Sequence, residues 1–65
     1  MRYERDSRKL IKMLRDDEWD LVRITGSHHH FRKEGRPGLV TVPHPKRDMR
    51  LKTVISIYMQ AGWKQ

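Results

Sequence analysis

Residues 19–33 read Trp19-Asp20-Leu21-Val22-Arg23-Ile24-Thr25, then Gly26-Ser27, then His28-His29-His30-Phe31-Arg32-Lys33. The first seven are β-branched or aromatic in rough alternation, which predicts a strand. Gly26-Ser27 is a turn signal, and residues 28–33 predict a second strand. Glu34-Gly35-Arg36-Pro37-Gly38 follows with three breakers and reads as a loop. Leu39-Val40-Thr41-Val42 predicts a third strand. Pro43 and Pro45 close it, because proline has no amide to donate to a longer ladder.

Helices flank this block. Ser7 is placed to cap a first helix, with Leu10, Ile11 and Leu14 following on one apolar face. Asp16, Asp17 and Glu18 should end it, since anions are unfavourable near a helix C-terminus. A second helix is expected over residues 50–61. Val54, Ile57, Tyr58 and Ala61 form its buried stripe, and Gly62 is a natural terminator. Ile55 and Met59 fall on a neighbouring face. They either extend the edge of the core or form a docking patch for a partner protein. The order is α-β-β-β-α, an α+β class. Its economical packing is one antiparallel three-stranded sheet with two helices on one face, as in double-stranded-RNA-binding domains. Sixty-five residues make one domain, 1–65, with a core of about 7–62.

Composition narrows the function classes. The chain has no cysteine, which excludes a disulfide scaffold and a Cys-based zinc site and fits a reducing compartment such as the cytoplasm. No apolar run approaches the ~20 residues of a membrane span, and no N-terminal apolar stretch resembles a signal peptide. Fifteen Lys and Arg oppose eight Asp and Glu, for a net charge of +7. Residues 1–22 are neutral, with six groups of each sign. Six of the seven net charges lie in residues 23–52, on Arg23, Arg32, Lys33, Arg36, Lys46, Arg47, Arg50 and Lys52 against Glu34 and Asp48. His28, His29, His30 and His44 all lie in that stretch, so a phosphate-rich partner is expected there.

Strand alternation sorts the histidines. Phe31 should face the helices, and His29 with it, while His28 and His30 point to the open side. Val40 and Val42 should face in, Leu39 and Thr41 out. On the first strand Val22 and Ile24 compete with Trp19 and Leu21 for the core, and the pattern leaves that open. An outward His28 among cations suits proton transfer at a phosphodiester, because histidine exchanges a proton near neutrality. A metal site would have to use His28 and His30 without a nearby acidic ligand, so no metal or other cofactor is expected. From residue chemistry alone, a solvated histidine edge ranks ahead of catalysis.

The chain resembles the HicA family of toxin–antitoxin mRNA interferases. The matching features are Ser-x-x-Leu-Ile-x-x-Leu from Ser7 to Leu14, Trp-x-Leu-Val-Arg from Trp19 to Arg23, and Gly26-Ser27-His28-His29-His30-Phe31. Val40-Thr41-Val42-Pro43-His44-Pro45 and Ile57-Tyr58-Met59-Gln60-Ala61-Gly62 complete the set. The ordered series covers residues 7 to 62. Three departures stand out: Glu18 where the family usually has Gly, Lys52 where Gly is common, and Tyr58-Met59 in place of Leu-Lys.

The resemblance implies a toxin that cleaves mRNA as a metal-independent endoribonuclease and arrests translation and growth. It implies neutralisation by a HicB-type antitoxin that covers His28, with Ile55 and Met59 as candidate contacts. It places the catalytic histidine on His28, with His29 as the alternative, and matches Gly26 and Ser27 to the turn that presents it. Arg23, His30, Arg32, Lys33, His44 and Lys46 are the further candidate RNA contacts. The competing function, from another class, is a non-catalytic RNA-binding module of the same fold, with Lys46, Arg47 and Arg50 at the second helix's start.

Overall fold

The computed structural model describes residues 2–64. Helix α1 (Ser7–Asp16) is capped by Asp6, whose side chain accepts the Arg8 amide over 3.0 Å. This corrects the expectation that Ser7 is the cap. Ser7 is the first helical residue and is fully buried, and its hydroxyl bonds to the segment after the sheet instead. A carboxylate one residue earlier reaches the same early amides and leaves that hydroxyl free for a long-range contact.

Three strands follow: β1 (Asp20–Thr25), β2 (His28–Arg32) and β3 (Val40–Pro43). They form an antiparallel sheet in the order β1-β2-β3. Each begins or ends within a residue of its expected bounds: β1 starts at Asp20, β2 stops at Arg32, and β3 runs from Val40 into Pro43. Helix α2 (Leu51–Ala61) completes the α-β-β-β-α order, with Gly62 ending it in the left-handed conformation at φ 76°. The Arg36 guanidinium lies against Gly62 where a Cβ would stand; that flexible side chain can move aside, so the left-handed φ is the main cost of a larger residue there.

The inward face is as alternation requires. Phe31, Val40 and Val42 are buried with Leu10 and Leu14 of α1, and with Val54, Ile57, Tyr58 and Ala61 of α2. The open question on β1 resolves for Trp19, which lies just before the strand and is 2% exposed. The ladder slips between Leu21 and Arg23, leaving Val22 as the extra residue of a bulge. Leu21 therefore opposes Phe31 and Ile24 opposes His29, so both lie on the helix side although three residues apart. They stay 37% and 55% exposed, because the helices pack towards β3 and leave β1 as the uncovered edge.

Two fastenings close the structure. The Asp17 carboxylate accepts from Trp19 Nε1 at 3.1 Å, Trp63 Nε1 at 2.9 Å and Lys33 Nζ at 3.0 Å. It thereby joins the end of α1, the segment after β2 and the C-terminal segment. On the opposite side α2 runs beside the free edge of β3, where the Thr41 amide donates to Gln60 Oε1 over 3.1 Å. This pairs an edge amide that would otherwise face solvent and adds to the buried stripe that holds the helix in place. Among the described residues, no helix is long and apolar enough to cross a membrane.

Candidate active site

His28 is the first residue of β2. Gly26 precedes it in the left-handed region at φ 58°, a conformation a turn needs and glycine supplies at little cost. The carbonyl of Ser27 accepts the His44 amide over 2.7 Å, so the turn is tied to the chain just after β3. In the ladder His28 sits between Thr25 and Pro43. It is the only exposed histidine of the four; His29, His30 and His44 are half-buried.

Beside His28, α2 borders the sheet along the free edge of β3. A cleft of about 430 Å³ is lined by His28, Thr41 and Pro43 from the sheet, and by Lys52, Thr53, Ser56 and Ile57 from the helix. Sequence reasoning missed Lys52, Thr53 and Ser56. The signal was present: Lys52, Ser56 and Gln60 recur every four residues, with Thr53 alongside, as the one polar stripe of an otherwise apolar helix. Gln60 anchors that stripe to β3, and the other members face His28.

The remaining histidines are occupied within the fold. His29 lies on the helix side, its ring edge-on to His44 with centroids 4.8 Å apart, and its Nδ1 is buried without a partner. Burial first, and the adjacent His44 and His30 next, push its pKa below the ordinary value. His30 Nδ1 lies 3.1 Å from Thr41 Oγ1, and its Nε2 is buried. His44 Nδ1 lies 2.7 Å from Ser7 Oγ, which also accepts the Lys46 amide over 2.8 Å.

The cations divide in the same way. Lys33 is bound to Asp17 beyond the far end of β2, about 17 Å from His28 by strand rise. Arg32 is paired with Asp20 in the ladder at that same end. Arg23 pairs with His30 and is exposed on the His28 side of the sheet. Lys46 contributes its backbone to Ser7, and its side chain is exposed. The structure thus groups His28 with Thr41, Lys52, Thr53 and Ser56, and separates it from Arg32 and Lys33. Among the described residues, no three His, Asp or Glu side chains converge as a metal-binding group.

No curated protein matches the chain. Residues 7–63 match the family described as the HicA toxin of bacterial toxin–antitoxin systems. That span takes in all five elements, the Gly26-Ser27 turn and every residue lining the His28 cleft. The chain belongs to the HicA family, the toxins of bacterial toxin–antitoxin pairs.

Proposed function

We propose that this toxin is an endoribonuclease that cuts mRNA, with His28 as its general acid–base. The observation that carries the reading is the placement of His28, exposed at the head of β2 in a cleft shared with Lys52 and, among the described residues, no carboxylate. A ring nitrogen of His28 takes the proton of a ribose 2′-hydroxyl. The 2′-oxygen then bonds to the adjacent phosphorus, the bond from phosphorus to the 5′-oxygen breaks, and that oxygen takes a proton from water, whose hydroxide recovers the proton from His28. The products are a 2′,3′-cyclic phosphate and a 5′-hydroxyl. A cation beside the phosphate offsets the charge that develops on its oxygens. The step as written needs no metal ion.

His30 and His44 serve the fold in this reading, since each has a ring nitrogen engaged by a neighbouring hydroxyl. The toxin acts in the cytoplasm on single-stranded mRNA. A HicB-type antitoxin restrains it by covering the cleft. Met59, 74% exposed on α2, and the half-buried Ile55 one turn earlier are its candidate contacts. Induced expression in a bacterial host tests the reading. The wild type should arrest growth, and His28→Ala should relieve the arrest at equal protein level. Arrest that persists in His28→Ala would overturn the assignment.

A further inference from the structure

The nuclease reading leaves open what holds the scissile phosphate. The cations that the basic stretch first suggests are poorly placed for it. Lys33 is committed to Asp17, and Arg32 stands at the far end of β2. The cleft itself contains one cation, Lys52, which makes no ion pair among the described residues. Beside it are the hydroxyls of Thr53 and Ser56, and Ser56 lies one turn on along α2. Among the described residues no Asp or Glu lines the cleft.

We infer that Lys52, with the Thr53 and Ser56 hydroxyls, forms a phosphodiester subsite facing His28, and that this subsite holds the group to be cleaved. An ammonium and two hydroxyls on one helical face can donate to the two non-bridging oxygens, while His28 works from the strand side. The geometry is held from outside the subsite. Gln60, one turn beyond Ser56, takes the Thr41 amide and fixes α2 against β3. Buried Ile57 closes the floor of the cleft. An exposed lysine without a carboxylate partner retains all three of its donors for a ligand. The subsite deepens the nuclease proposal and rests on its choice of His28.

Two measurements test it, with Lys9→Ala as the control that removes an equal charge from α1. The first is binding of a short single-stranded RNA, 2′-O-methylated throughout and therefore not cleavable, across a salt series. Lys52→Ala should weaken binding about fivefold or more and reduce the slope of log K against log salt by ~0.7, the loss of one phosphate contact. Lys52→Arg should keep most of the affinity, and Lys9→Ala should change neither quantity. The second is cleavage of unmodified RNA, where Lys52→Ala should lower kcat/KM by at least about tenfold. Lys52 is exposed, and an unchanged melting temperature shows the variant folded. If Lys52→Ala matches Lys9→Ala in both measurements, the subsite is overturned while wild-type cleavage leaves the nuclease reading standing. If the wild type does not cleave but Lys52→Ala selectively loses affinity, the phosphate subsite stands and the nuclease reading falls.

Discussion

Ser7 Oγ lies 2.7 Å from His44 Nδ1, across 37 residues of sequence. The same hydroxyl accepts the Lys46 amide, and the Ser7 amide donates to the Lys46 carbonyl, each over 2.8 Å. One buried side chain thus fastens the segment after β3 to the first turn of α1. The His44 amide in turn holds the Ser27 carbonyl beside His28. Ser7→Ala should cost about 1–3 kcal/mol, because it leaves the Lys46 amide and a His44 nitrogen without partners. Urea denaturation would show this as a lower midpoint with little change in slope.

Asp17 holds three donors with one carboxylate. Its pKa is lowered, chiefly by the hydrogen bond from Trp63 and then by that from Lys33. A depressed folded-state pKa means stability that is present above the unfolded value and lost as pH falls through the folded one. Asp17→Asn should cost about 1–2 kcal/mol at neutral pH, less than a buried ion pair because the side chain is 40% exposed. It should also flatten the loss of stability below the ordinary value of 3.8. A series of thermal melts against pH measures both effects.

Glu18 carries a positive φ of 68°, the only non-glycine residue to do so among those described. It follows Asp17 at the end of α1, where the chain turns into Trp19 and β1. The left-handed conformation costs a residue with a Cβ roughly 1–2 kcal/mol, part of which glycine returns as lost chain entropy. Glu18→Gly should therefore stabilise the protein by about 0.5–1 kcal/mol. Calorimetry should show a melting temperature a few degrees higher, with RNA cleavage unchanged.

Burial, and then the neighbours His44 and His30, lower the pKa of His29. Its folded pKa lies below its unfolded value of 6.5, so the unfolded chain binds the proton first as pH falls. Stability should be complete above about pH 6.5 and decline below it. His29→Phe keeps a ring beside His44 and removes the titration. It should reduce the difference in urea midpoint between neutral and mildly acidic buffer. An unchanged difference would contradict this role for His29.

Much of the fold was legible because it depends on local periodicity. The Val54, Ile57, Tyr58 and Ala61 stripe, the inward Phe31, Val40 and Val42, and the terminating Gly62 all follow from spacing. The β1 register was not legible. A bulge at Val22 puts Leu21 and Ile24 on one face, which strict alternation forbids. Nor could Asp6 be preferred to Ser7 as cap, since both suit the role and only tertiary contacts with His44 and Lys46 decide between them. At the candidate site, the exposure of His28 followed from alternation. The residues opposite it depend on where α2 docks, which its buried stripe and the Gln60–Thr41 contact across 19 residues decide together. Charge partition pointed to the basic stretch but could not show that Lys33 is committed to Asp17 while Lys52 is free of ion pairs among the described residues.

The assignment of His28 is tested most directly by incubating purified protein with single-stranded RNA and analysing the ends of the products. The wild type should leave 2′,3′-cyclic phosphate and 5′-hydroxyl ends, and His29→Ala should still cleave. His28→Ala should lose at least about a hundredfold in rate while melting normally. Cleavage at the wild-type rate by folded His28→Ala, or loss of cleavage in folded His29→Ala alone, would contradict it.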